Sequence, residues 1–387
     1  MKATVLNFSM QQRKKSKGLT LIELLIALTL GMGILIALSS VYIAAKQSFR
    51  FQDSTGRMQE DASYALELMS KELRMTGFSG CVGVETIVQS TPTVSTITYP
   101  ALTWDEITPS GIAGLNPLAT LFPTDTNITS RAYAPHNIFR GFDSGQSSMF
   151  SGTASTPDFV SASSIFFAGG FAESAALSSA MLTTTSAISA STNTFGWSGK
   201  NLLFIISDCV DANLFKGAVT TAGGTLTIAH GTSDGNTMNG FRNDKIYGTD
   251  ATLVKAQWVY YYLATRSGAT TPSLYRLNFD GESRRNSEEI IANVEGMAIH
   301  YGEASSASPL VVANWRTTAA SVTDWNRVVA VRVGLMMVSG QTDSNADVVP
   351  TSTTLLGSSY TIPTSNSSRV RNEFSTTIVL RNRVAPR

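Results

Sequence analysis

The longest unbroken hydrophobic stretch of the chain runs from Leu19 to Ala45, and it carries one charged residue, Glu23. As a helix this run would extend roughly 40 Å at about 1.5 Å per residue, enough to cross a hydrocarbon core of about 30 Å with some tilt. Beyond Lys46 the pattern changes. Met58, Ala62, Leu66, Met69 and Leu73 recur at steps of three and four, while Asp61, Glu67, Lys71 and Arg74 fall elsewhere around the helix. That spacing predicts an amphipathic continuation laying one face on a folded domain. No proline occurs before Pro92, so one helix through both halves is the economical reading, ended by the glycines of "TGFSGC".

From about Val82 the pattern becomes short apolar runs separated by Ser, Thr and Gly. "LLFIIS" (202–207), "TLTIA" (225–229), "LVKAQWVYYYLAT" (253–265), "LYRLNF" (274–279), "MAIHYG" (297–302), "RVVAVRVGLMMVSG" (327–340) and "STTIVLRNR" (375–383) read as strands. "NFDGESRR" supplies an Asp-Gly turn between strands. The Ser-, Ala-, Thr- and Gly-rich segment 144–200 reads as an irregular insertion, with "SSIFFAGG" as a strand inside it. A helix followed by strands, without alternation, predicts an α+β fold with an antiparallel sheet. The expected divisions are a leader (1–18), a transmembrane half-helix (19–45), an amphipathic half-helix (46–80) and a β-rich domain (81–387).

Charge refines the picture only locally. The chain has 387 residues and a net charge of +1, so nothing in its overall charge calls for a nucleic-acid partner. Lys2, Arg13, Lys14, Lys15 and Lys17 nevertheless precede Gly18 with no acid among them. A basic segment before an apolar span predicts a cytoplasmic N-terminus and an exported remainder. A conventional signal peptide, with "ALSS" offering small residues for a cut, is a competing reading. Its apolar region would exceed the usual length and would contain an acid. A plain uncleaved anchor explains neither Gly18 nor Glu23. A carboxylate in lipid needs a partner or a reason.

Patterns that would indicate an enzyme or a metal site are weak. "GTSDG" (231–235) matches G-x-S-x-G, but the "NTMNGF" that follows is poor helix, so a turn between strands is the better reading. His136, His230 and His300 are the three histidines and stand far apart. Asp343, Asn345 and Asp347 alternate like the opening of a calcium loop, but Val348 and Thr354 replace its glycine and glutamate. No cofactor or metal is expected. Cys81 and Cys209, the two cysteines, allow one disulfide in an oxidising compartment, with two buried thiols as the alternative.

"KGLTLIELLIAL" resembles the class III signal of type IV prepilins: a basic leader ending in glycine, then a new first residue and a glutamate four positions on. The resemblance implies cleavage between Gly18 and Leu19 by a prepilin peptidase, N-methylation of Leu19, and Glu23 as the subunit-assembly residue. Leu19 stands where most prepilins have phenylalanine. "ASYALELMSKELRMTGFSGC", "LLFIISDCVDANLF", "EEIIANVEGMAIHYG", "WNRVVAVRVGLMMVS" and "FSTTIVLRNR" look like the PilW family of minor pilins.

That family implies a low-abundance subunit in a priming or tip complex that initiates fibre assembly. Its implied partners are other minor pilins, the major pilin, inner-membrane assembly machinery, membrane lipid and a tip adhesin. The implied location is the inner membrane and then the pilus, and adhesion and twitching motility are outcomes of the family at large. A minor pseudopilin of a type II secretion system shares the signal and the fold and is the alternative. A membrane-anchored periplasmic enzyme or binding module is the remote one.

Overall fold

The structure is a computed structural model, and it describes residues 20–78, 80, 139–144, 158–160, 162–191, 195–210, 212–234, 236, 239–241, 245–266, 268–281, 286–305, 311–342, 350–364 and 369–383. The chain divides into two compact units, Met1–Ser54 and Thr55–Arg387. One helix, α1 (Leu21–Leu73), begins in the first and ends in the second.

In the first unit, the helix satisfies its own polar side chains. Thr29 Oγ1 donates to the Ile26 carbonyl at 3.0 Å, Ser39 Oγ to that of Leu35 at 2.8 Å and Ser40 Oγ to that of Ala37 at 2.8 Å. Hydroxyls that bond back to the preceding turn can sit in an apolar surface without an exposed donor. Leu, Ile, Val and Met side chains from Leu21 to Ile43 stand exposed, and the helix is long and apolar enough to cross a membrane.

In the second unit, the helix ends are fixed by burial. Met58, Ala62, Ala65, Leu66, Met69, Glu72 and Leu73 are buried, whereas Tyr64 is exposed. The helix stops at Leu73, short of the expected residue 80, because Gly77 takes a positive φ of 73° and the chain turns through Met75 and Thr76.

Sixteen strands follow among the described residues: β1 (Phe139–Phe142), β2 (Asp158–Phe159), β3 (Ser164–Ala176), β4 (Ile188–Ser191), β5 (Asn201–Ser207), β6 (Ala212–Ala222), β7 (Thr225–Ala229), β8 (Thr252–Thr265), β9 (Ser273–Phe279), β10 (Asn286–Ile291), β11 (Val294–Ala304), β12 (Val312–Arg316), β13 (Val328–Thr342), β14 (Ser352–Leu355), β15 (Ser358–Thr361) and β16 (Arg369–Val379). They form a ten-stranded sheet of order β1-β3-β8-β5-β6-β7-β4, with β9, β10 and β2 attached around β8. A second sheet has the order β12-β11-β13-β16, and β14 and β15 make a separate hairpin. Every strand pairing is antiparallel. One long apolar helix before an antiparallel β domain is the α+β arrangement the sequence predicts.

Two cores hold this unit. The first joins Met58–Leu73 of the helix to Phe167, Tyr261 and Leu274 of the large sheet and to Ile299, Val331, Leu335 and Ile378 of the small one. The second lies within the β4–β7 end of the large sheet, around Trp197, Phe204, Phe215, Phe241 and Tyr247. Most of the predicted strands fall inside β5, β7, β8, β9, β11 and β13. The last begins earlier than expected, since β16 spans Arg369–Val379.

The segment 144–200 is less irregular than expected, since the strand expected at "SSIFFAGG" is β3, which runs on to Ala176 and places Ile165, Phe166 and Phe167 in the core. Its glycines are not loop composition. Gly169 lies where an added Cβ would collide with the Met75 carbonyl oxygen, and the chain after the helix pairs with the strand there. Gly77 N–H donates to the Ala168 carbonyl and Gly170 N–H to that of Phe78, both at 2.8 Å.

Candidate assembly site

The N-terminal end of α1 is built by two side chains. Thr20 Oγ1 accepts from the Glu23 N–H at 3.4 Å, while Glu23 Oε2 accepts from the Thr20 N–H and from its hydroxyl, each at 3.3 Å. This is a capping box: a threonine before the first turn and an acid three residues on satisfy two helix-end N–H groups reciprocally. A carboxylate there also complements the positive end of the helix dipole. Both bonds use Oε2; Oε1 accepts none among the described residues. Glu23 is therefore turned back toward Thr20 at the helix start, with acceptor capacity to spare. Gly18 and Leu19 lie outside the described residues, as do Cys81, His136 and the Asp343–Asp347 segment.

At the other end of the helix, Glu72 is buried on the apolar stripe. Arg276 of β9 meets it with Nε to Oε2 at 3.1 Å and Nη2 to Oε1 at 2.5 Å, and the Tyr261 hydroxyl of β8 donates to Oε2 at 2.6 Å. Burial first, and then the Glu72 charge, push the Tyr261 phenol well above its ordinary range. A carboxylate in the last turn opposes the helix dipole, so this partnered position ties the helix to the large sheet. Glu72 was not foreseen, although an acid in step with Ala62, Ala65 and Met69 signals a buried partner.

The remaining sequence candidates are spread apart. His230 is buried, its Nε2 is 2.9 Å from the Ser186 carbonyl oxygen, and its ring stacks on Phe241 at 4.5 Å. Desolvation lowers its pKa, against smaller opposing contributions from hydrogen bonds and Asp234. Thr232–Asp234 form one turn of 3-10 helix, with Asp234 Oδ2 accepting from the Gly231 N–H, so Ser233 does not sit at a strand-to-helix elbow. Among the described residues, no three His, Cys, Asp or Glu side chains gather closely enough to hold a metal ion. Cys209 follows β5 at a positive φ of 71°. Gly80 packs close by, since a Cβ on it would lie 2.6 Å from that of Ser207.

Comparison with known proteins supplies two matches. Residues 13–39 match the prokaryotic N-terminal methylation motif, a window that includes Gly18, Leu19 and the Thr20–Glu23 capping box. Residues 260–382 match the family described as type IV pilus-assembly protein W. Over these two segments the chain resembles the PilW-like minor pilins of type IV pili. The second match runs from within β8 through β16 to Asn382, so it takes in Tyr261, Arg276 and the whole small sheet. No curated protein and no solved structure matches the chain. The methylation motif and the apolar helix together make this PilW-like chain a membrane-anchored pilin whose partners are pilus components.

Proposed function

We propose that this pilin is cut between Gly18 and Leu19 by a prepilin peptidase, methylated on the new amine, and incorporated in a priming complex at the fibre tip. The β domain would then lie on the periplasmic side of the inner membrane before assembly. The observation that carries this reading is the direction of Glu23, held by Thr20 toward the helix start with Oε1 unused. Hydrolysis of the Gly18–Leu19 bond leaves a carboxylate on the leader and an ammonium on Leu19. The basic leader departs, and a positive and a negative group remain at one lipid-immersed helix end. Each is costly in lipid when alone, and the ammonium of one subunit can satisfy the Glu23 carboxylate of the next. Register between subunits then follows from a charge pair while the exposed apolar helix surface supplies contact area.

In this reading Cys81 and Cys209 form a disulfide that fastens the segment after the helix to the end of β5. The approach of Gly80 to Ser207 supports it, as does the lack of any free cysteine among the described residues. The role is structural rather than enzymatic.

Mass spectrometry of the membrane-extracted protein tests the cut: an N-methylated Leu19 is expected, and an intact Met1 would refute it. Glu23→Gln is expected to leave membrane insertion intact and to abolish recovery of the chain with other pilins. Normal recovery would show that Glu23 serves its own helix cap alone.

A further inference from the structure

The small sheet has two unlike faces. Ile299, Tyr301, Val331, Val333 and Ile378 point into the shared core. The alternate residues point the other way, and in one row across three strands they are His300, Arg332 and Thr377: His300 pairs directly with Arg332, and Arg332 with Thr377. Arg332 Nε donates to Thr377 Oγ1 at 3.3 Å, and its guanidinium carbon lies 4.6 Å from the centre of the Trp315 ring on β12. No carboxylate pairs with Arg332 among the described residues. His300 is only 6% exposed, yet it has no hydrogen-bond partner there.

Two groups that can both be positive, set directly opposite each other on neighbouring strands, repel rather than stabilise. Desolvation by burial, and then the charge of Arg332, lower the His300 pKa. The fold itself gains nothing evident from the row. Three apolar side chains on or beside the outer strands are exposed: Val311 at 64%, Val379 at 51% and Trp315 at 37%. Donors at the centre, an aromatic–arginine couple and an apolar rim make up the anatomy of a protein-binding hot spot.

We propose that this face of the small sheet docks a partner protein through an acidic side chain, whose carboxylate bridges Arg332, His300 and Thr377 while its apolar neighbours cover Trp315 and Val379. One carboxylate gives both Arg332 and a His300 ring N–H a hydrogen-bond acceptor and offsets the Arg332 charge that disfavours the protonated imidazole, and Arg332 keeps its Trp315 stack on binding. The surface goes beyond the Glu23 assembly role and does not depend on it, since it lies wholly within the second unit.

The test uses the full chain in detergent micelles and reads the His300 ring by NMR, assigned with a His300→Gln variant. The probes are the peptide acetyl-Leu-Glu-Leu-amide, its glutamine counterpart and inorganic phosphate. The glutamate peptide is expected to raise the His300 pKa and leave His230 unmoved, and the glutamine peptide to do neither. Arg332→Met, which keeps the stem on Trp315, is expected to weaken the effect roughly tenfold or more. Arg332→Gln with unchanged circular dichroism provides a second variant. A silent glutamate peptide, or a response to phosphate alone, would overturn the proposal.

Discussion

Arg276 and Glu72, 204 residues apart in sequence, form a two-point ion pair that joins the last turn of α1 to the large sheet. Removing either member leaves the other charge without its partner in a largely dry site. Glu72→Gln or Arg276→Met is expected to lower unfolding stability by about 3 kcal/mol. The combined Glu72→Leu, Arg276→Leu variant, with no charge left behind, is expected to lose less than the sum of the two single changes. Urea unfolding followed by tryptophan fluorescence, with a double-mutant cycle, measures this.

Gly169 accepts the helix-end turn at a contact too close for any side chain. Gly169→Ala is expected to cost about 2 kcal/mol, because Met75 is held by backbone on both sides and cannot give way. Gly31→Ala, with no atom near its added carbon, is expected to leave the same urea transition unchanged.

Stability should fall in acid through His230. Its folded pKa lies below the unfolded value of about 6.5, so below that pH the unfolded chain binds more protons than the folded one. The contribution is complete above pH 6.5 and is lost as pH falls toward the folded pKa, at no more than about 1.4 kcal/mol per pH unit for one group. His230→Phe, which retains the ring stack on Phe241, is expected to flatten the slope of urea midpoint against pH between 7.5 and 5. An unaltered slope would assign the acid sensitivity elsewhere, His300 being the next candidate.

At the alkaline end the sign reverses. Burial holds Tyr261 and Tyr301 protonated well beyond the ordinary phenol range. Above pH of about 10 the unfolded chain releases those protons and the folded one does not, so stability drops as pH rises. Ultraviolet titration of phenolate should show a late, cooperative step coinciding with unfolding, and Tyr261→Phe should reduce its amplitude.

The proposed disulfide predicts a simple chemical outcome. Unfolded but unreduced chain should take up no iodoacetamide, and reduced chain should take it up at both Cys81 and Cys209. Cys209→Ser is expected to cost about 2 to 5 kcal/mol in the oxidised protein.

The elements that were legible in the sequence are those with one dominant period. The apolar run after Gly18 and the three-and-four spacing from Met58 to Leu73 mark the helix. Alternating or continuous runs such as 202–207 and 253–265 mark strands that are buried on one face or on both. What was not legible depends on residues brought together from afar. The start of β3 was legible as "SSIFFAGG", but its run past Gly170 to Ala176 and the role of Gly169 were not, because they depend on the turn at Met75–Phe78 placed against them. β12 presents mostly exposed side chains, and the first half of β16 is half-buried without alternation, which hides both from a pattern reading. At the candidate assembly site, Glu23 stood out because nothing near it is charged. The part played by Thr20 follows from helix-capping geometry, and that of Glu72 required Arg276, which local pattern cannot supply.

Asn382 Nδ2 donates to the carbonyl oxygens of Arg74, at 3.2 Å, and Thr76, at 3.4 Å, across more than three hundred residues of sequence. The carbonyls at the helix end are thus closed by a side chain that lies beyond every strand described above. During synthesis, the helix emerges long before Tyr261, Arg276 or Asn382 exists to hold its C-terminal end. Closing such long loops makes docking a late and slow event. A chain truncated before β16 therefore presents a helix whose end carbonyls are unfastened.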